Sequence, residues 1–450
     1  MKVPKLIWTL ELPMILSMVL QAVYNIVDTA FVINMGEGGV DGNLALTYAF
    51  PVQLLIIAIG VGTGIGINAV LSRSLGERNE EKASKIVGNG IFLGICIYAA
   101  FLIFGLFFSR AFVSMQANGN GQAVGMGTEY LTICCCFSFG AIGFTIYERF
   151  LQATGKTLLS TIAQIAGALT NILLDYVFIY PMRMGVAGAA WATVVGQCVS
   201  LIVAMAFHYL AYREIKNSLS GLKPSGSIIL SIYRIGWSAI LMQGLLSVMM
   251  LGVNLILGGS RTDAELLQGS FGIYYKIMQF ALFAVFGISN TIITALSFNF
   301  GMGDKKRSRD CVRHGLIMSV CVALFLTALF ELLAEPLAAL FSLAEGESGE
   351  ITLVVVKAVR VGAIGYAFMG FSVGVQGVFQ ALRHAVRPLV ISLLRLVVFV
   401  FPLAFLFTLS PSVASLVWWT FPLAELLTAI VSGVLFVGIY RKDIAARAKA

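Results

Sequence analysis

The sequence predicts an all-α integral membrane protein: twelve transmembrane helices forming two parallel six-helix repeats, or lobes, around a central cavity. Three observations carry that reading. Of 450 residues, 59% are hydrophobic and 12% charged, against about a quarter charged in an ordinary soluble chain. The apolar residues come in runs of about 20 or more, the length that crosses a hydrocarbon core roughly 30 Å thick. The chain also matches itself about 225 positions further on.

The expected spans lie at about 6–34, 44–71, 86–108, 128–151, 158–181, 186–212, 228–258, 268–297, 312–332, 351–381, 386–409 and 414–440. The first is too long for a cleavable signal peptide, lacks a small-residue cleavage site and carries Glu11 and Asp28 inside it. It also bears a polar stripe, since Gln21, Tyr24, Asn25 and Asp28 recur at helical spacing. The loop after span two, Ser72 through Gly76 to Gly90, matches the loop after span eight, Ser297 through Gly301 to Gly315. Span four holds Cys134, Cys135 and Cys136, which point about 100° apart on a helix and cannot share one metal. It ends in Phe150-Leu151-Gln152-Ala153, echoed by Val378-Phe379-Gln380-Ala381 at the end of span ten.

Span five carries Asn171 and Asp175 one turn apart, and span six carries Thr193. Counted by helical rise, Asp28, Asp175 and Thr193 all fall about 9–12 Å below the outer surface, so one layer can hold them. Residues 213–234 form a basic linker, which divides the chain into an N-terminal lobe (1–212), a C-terminal lobe (235–440) and a basic tail (441–450). Six spans per repeat is an even number, so each half starts from the same side and the repeat is parallel. Two lobes with a cavity between them can alternate their access.

In the second half, Asp28 maps to Val253 and Asp175 to Leu403, so a carboxylate site belongs to the first half only. The second half instead places Tyr274, Tyr275, Lys276 and Gln279 on span eight, candidates for a substrate cavity together with Tyr24. Arg395 of span eleven and Glu425 of span twelve sit at coincident depths, about 13 Å from the inner and 16 Å from the outer surface. They are expected to form a structural ion pair, because an unpaired buried charge costs far more than a paired one.

Charge sets the orientation. With an internal N-terminus, 23 of the 30 Lys and Arg residues fall in internal segments, the dense group from Lys305 to Arg313 among them, and the external loops hold only Arg110, Arg183 and Arg261. Both termini are therefore expected in the cytoplasm and the chain in the plasma membrane as a multi-pass protein. The net charge of +8 is this bias and calls for no nucleic-acid partner. An enzyme is not expected: His208, His314 and His384 stand apart at cytoplasmic helix ends, and no nucleophile and base are grouped.

An acid near the bilayer centre costs about 2.5–3.5 kcal/mol on insertion scales, so Asp28 and Asp175 are functional candidates. Carboxylate, amide, hydroxyl and carbonyl oxygens suit a small hard cation, and buried acids also suit protonation. The alternative is a hydrogen-bond network that only joins helices.

The Pro13-to-Asp28 stretch, the Gly76 and Gly301 loops, Gln152-Ala153-Thr154-Gly155, Asn171-to-Asp175 and Gly185-to-Thr193 together resemble the multidrug and toxic compound extrusion (MATE) family along the whole chain. The resemblance implies a secondary active exporter, an antiporter that moves organic, cationic or amphipathic compounds out of the cell in exchange for Na⁺ or H⁺. In the DinF-like branch, it implies a cation site at Asp28, Asn171, Asp175 and Thr193 with the backbone carbonyl of Ala189. No cofactor beyond the coupling ion and no second copy of the chain are expected. One departure is Arg383, where the family motif usually has Gly. A related architecture, the lipid-linked oligosaccharide flippase, is the alternative, although its cavity would be more strongly cationic than Lys276, Lys357 and Arg360 make this one.

Overall fold

A backbone in hydrocarbon must satisfy every N–H and C=O internally, so apolar runs of this length become helices. The computed structural model describes residues 3–33, 35, 39–116, 121–211, 223–260, 264–345 and 349–440, and among these there is no strand. The helices are α1 (Val3–Ile33), α2 (Gly39–Gly76), α3 (Glu80–Phe107), the short α4 (Ser109–Gln116), α5 (Gly121–Cys136), α6 (Phe139–Ala153), α7 (Thr157–Ile179) and α8 (Gly185–Ala211). There follow α9 (Gly226–Gly258), α10 (Ala264–Gly301), α11 (Lys305–Glu345), α12 (Gly349–Ala363), α13 (Tyr366–Ala381), α14 (Val386–Leu393), α15 (Val400–Thr408), α16 (Val413–Leu416) and α17 (Thr420–Ile439).

Ten of these segments are long and apolar enough to cross a membrane; α5 with α6, and α12 with α13, each add a span bent by 43° and 52°. With each bent pair taken as one span, the described residues hold twelve. Span eleven is not a plain helix, because α14 passes into a π-helical segment, Leu394–Val398, before α15. The outward faces carry large apolar side chains such as Leu210, Leu332 and Val434, as a lipid solvent requires. Residues 213–222 of the linker and the whole basic tail lie outside the described residues.

The chain divides into two units. One runs from Leu16 to Ile240, and the other takes the residues up to Ile15 together with those from Leu241 onward. The boundaries thus fall inside α1 and α9 rather than in the linker at 213–234. Ile15 and Ile240 are 225 positions apart, the spacing of the sequence repeat. The reason lies in two glycines with the same spacing. A Cβ on Gly62 would lie 2.7 Å from the Ile240 backbone N, and one on Gly287 would lie 2.9 Å from Ile15 Cα. Neither position tolerates a side chain, so within each unit a long span packs backbone to backbone against another.

The repeat extends to individual turns. In the unit ending at Ile240, Arg78 N donates to Leu75 O at 3.1 Å and Asn79 N to Ser74 O at 3.1 Å, while the Asn79 side chain caps α3 by accepting from Lys82 N at 2.9 Å. In the other unit, Gly303 N donates to Phe300 O at 3.2 Å, Asp304 N to Asn299 O at 3.3 Å, and Asp304 accepts from Arg307 N at 2.9 Å. The exits of α6 and α13 repeat likewise: Gly155 N to Gln152 O and Lys156 N to Leu151 O, then Arg383 N to Gln380 O and His384 N to Phe379 O, all within 3.0 Å. Arg383 adopts φ +65° where Gly155 has +78°. The departure from the family motif therefore keeps the turn and places an arginine in the left-handed region.

Candidate functional site

The site begins with two glycines. A Cβ on Gly167 of α7 would lie 2.5 Å from Gly196 O of α8 and collide with the Ser200 hydroxyl, and one on Gly196 would lie 2.8 Å from Asn171 Cβ. Small residues let the two backbones touch, which sets the polar faces of α7 and α8 side by side. On α7 that face reads Gln164, Gly167, Ala168, Asn171, and on α8 it reads Thr193, Gln197, Ser200.

Between them and α6 and α2 lies a cavity of about 100 Å³. Asn171 is 3% exposed, and both its Oδ1 and Nδ2 are buried without a hydrogen-bond partner, as is Thr193 Oγ1. Buried polar atoms in this condition cost about 1–3 kcal/mol each, and a water or a small cation in the cavity would satisfy them. Asp175 is fully buried one turn beyond Asn171, and Ala189 is fully buried one turn before Thr193. The structure thus brings Asn171 and Thr193 to one cavity, with Asp175 and Ala189 a turn away on the same helices. Gln21, Tyr24, Asn25 and Asp28 lie on α1, but their side chains are outside the described residues.

A group that the sequence reading missed lines the same cavity near the C-terminal end of α6. Glu148 and Arg149 of α6 are 4% and 1% exposed. Glu148 Oε1 accepts from Gln152 Nε2 at 3.0 Å and from Ser17 Oγ at 3.4 Å, and Ser17 Oγ also donates to Gln164 Oε1. Arg149 Nη1 donates to Gln152 Oε1 at 2.8 Å, and its Nη2 stands 3.9 Å from Glu148 Oε2. Gly64 of α2 makes room for this arginine, since a Cβ there would lie 2.8 Å from Arg149 Cγ. Among the described residues no three His, Cys, Asp or Glu side chains converge, so a mixed set of oxygens is what the cavity offers.

The other unit holds the remaining expected residues. Arg395, on the π-helical segment, places Nε 2.5 Å from Glu425 Oε1 of α17. Tyr274 is fully buried, its ring 5.0 Å from Phe421 and 5.7 Å from Trp418, against Gly362. It offers no surface to a substrate, and its expected place in a cavity gives way to packing, because a small residue opposite lets the ring sink between helices. Tyr275 is 5% exposed and shares a hydrogen bond with Gln279. Lys276 and Gln279 are half-buried on the same helix.

The family model described as MatE matches the chain twice, over residues 13–177 and 238–406, once in each half. A multidrug export protein MepA of Staphylococcus saprophyticus is 26% identical over 322 residues, covering 70% of each chain. A MepA of Staphylococcus aureus is 25% identical over 312 residues, covering 69% of this chain and 67% of its own. Among solved structures, an outward-facing multidrug resistance MATE family transporter superposes with a TM-score of 0.92 at 22% identity over 100% of this chain and 98% of the other. A MOP superfamily transporter from Pyrococcus furiosus, described as having a binding pocket of reverse polarity, gives 0.90 at 22% identity over the same shares. At those identities the superpositions speak to the fold. With the family model matched across both halves, the chain belongs to the MatE family of multi-span membrane transporters.

Proposed function

We propose that this transporter exports organic, cationic or amphipathic compounds across the plasma membrane in exchange for Na⁺ or H⁺, working by alternating access with both termini in the cytoplasm. Drug export is what the names of its staphylococcal relatives describe, and those names favour it over a lipid-linked glycan flippase. Ion coupling is supported by one observation: Asn171 and Thr193 present buried, unpaired polar atoms to a single cavity beside the buried Asp175.

The coupling ion would bind to oxygens of Asp28, Asn171, Asp175 and Thr193 with the Ala189 carbonyl, a donor set that suits Na⁺ or a proton on a carboxylate. Exchange requires only that ion and substrate prefer different conformations. One charge moving inward down 100 mV supplies about 2.3 kcal/mol before any concentration gradient.

The test is efflux of a cationic dye from cells and from liposomes under an imposed Na⁺ gradient or an imposed pH gradient. Wild-type export should follow one of them. Asp28→Asn and Asp175→Asn should insert normally and lose gradient-driven export, and full ion-dependent efflux by both variants would reject this site.

A further inference from the structure

Glu148 is a buried carboxylate to which the coupling reading gives no task. It lies on α6, five residues before that helix ends at Ala153. Its Oε1 faces the Ser17 hydroxyl, and that hydroxyl also faces Gln164 Oε1. A hydroxyl has one hydrogen to donate and cannot satisfy two acceptor oxygens at once, so a proton or small cation on Glu148 would relieve the competition. Arg149, the neighbouring cation, contributes only a long ion pair. Its Nη1 is engaged by Gln152 at 2.8 Å, and its Nη2 reaches only Oε2, at 3.9 Å.

The cavity joins this cluster to the candidate site, because Asn171 and Thr193 line it together with Glu148 and Gln164. Gln164 lies two turns from Asn171 on α7, and Ser200 two turns from Thr193 on α8, so each polar stripe is about 10 Å long. The two helices run antiparallel, which lays the stripes alongside one another on one wall of an otherwise largely apolar cavity. A volume of about 100 Å³ accommodates several waters, since roughly 10–15 Å³ on this measure holds one.

We propose that Glu148 is a second cation-binding carboxylate, the cytoplasmic station through which the coupling ion passes between the Asn171–Thr193 end of the cavity and the cell interior. The proposal rests on the coupling reading above. The occupant is a small hard cation, H⁺ or Na⁺. A proton arriving on Oε1 makes a neutral carboxyl that donates to the Ser17 hydroxyl, which keeps its own hydrogen for Gln164 Oε1. When it leaves to water, the carboxylate again accepts from Ser17 and Gln152. Na⁺ would instead gather the Glu148, Gln164 and Ser17 oxygens directly. The competing view is a structural pair that only ties α6 to α1 and α7.

The experiment uses full-length protein in liposomes, with ethidium as the transported cation, in two arms: an imposed pH gradient without Na⁺, and an imposed Na⁺ gradient at equal pH. In whichever arm drives the wild type, Glu148→Gln should slow export by about tenfold or more, equivalent to at least 1.36 kcal/mol on the barrier. Glu148→Asp should restore most of the rate and shift its dependence on pH or Na⁺. Monodisperse elution and equal incorporation establish that the variants are folded, and the Glu148→Asp profile serves alone if Glu148→Gln is not. Wild-type export indifferent to both gradients would remove the coupling reading and this proposal with it. Coupled wild-type export with Glu148→Gln equally fast, or with both variants equally dead though monodisperse, would overturn the Glu148 assignment alone.

Discussion

At the scale of single residues, what the sequence could show depended on whether a polar group stood alone in an apolar run. Asn171, Asp175 and Thr193 do, and they were legible. Glu148 does not: Arg149 follows it and the helix ends soon after, so the pair reads as a cytoplasmic end, yet both are buried. Only the neighbouring Gln152 hinted at a network. Thr193 offers a direct test, because its hydroxyl has no hydrogen-bond partner. Thr193→Val should leave thermal stability equal or higher, by up to about 1 kcal/mol, since an unsatisfied group is removed, while gradient-driven export falls. A clear drop in melting temperature would make the hydroxyl structural. Arg395 and Glu425 give the opposite case. Arg395→Met leaves a buried carboxylate alone and should cost about 3–5 kcal/mol, with Arg395→Met, Glu425→Leu recovering most of it. Equal stabilities for the single and double variants in detergent melts would show that the pair contributes nothing.

At the scale of elements, hydropathy located every span but not its bends. No proline marks the breaks near Phe137 and Ile364, whereas the π-helical turn at Leu394–Val398 has a mark in Pro402, which has no N–H for the Val398 carbonyl and whose ring would clash with it. At one break the cause is packing: a Cβ on Gly365 would lie 2.9 Å from Pro422 Cα, so the close approach is possible only at glycine. The turns were more legible, since glycine and polar residues punctuate them. They also show where the repeat is strained. Arg78 (φ +54°) stands where the other half has Gly303, and Arg383 (φ +65°) stands where it has Gly155. A non-glycine residue in the left-handed region carries roughly 1–2 kcal/mol of steric cost. Arg78→Gly and Arg383→Gly should therefore each raise stability by about 1 kcal/mol, with some of the gain offset by the freer unfolded chain. A lower melting temperature for both would mean that the arginine side chains outweigh the strain.

At the scale of the molecule, the repeat was readable as two matching loops 225 positions apart, and the unit boundaries at Ile15 and Ile240 repeat at the same spacing. What the sequence did not disclose is that the boundaries fall within α1 and α9. Linker composition marks where connectivity is loose, whereas contacts follow the glycines that let backbones meet. The repeat's sense has a consequence that can be measured. If the halves are parallel, positions 225 apart face the same compartment, and the excess of Lys and Arg makes that compartment the cytoplasm for the loops after spans two and eight. Glu80 and Lys305 are both exposed and sit in those loops, while Met182 and Ser412 are exposed at the opposite ends of their spans. In a background with all seven cysteines replaced, Glu80→Cys and Lys305→Cys should resist a membrane-impermeant thiol reagent in intact cells and react after lysis. Met182→Cys and Ser412→Cys should react in both. Labelling of one member of a pair but not the other in intact cells would mean an inverted repeat. Labelling of Glu80→Cys and Lys305→Cys, with Met182→Cys and Ser412→Cys protected, would reverse the orientation and with it the direction in which the ion gradient could drive export.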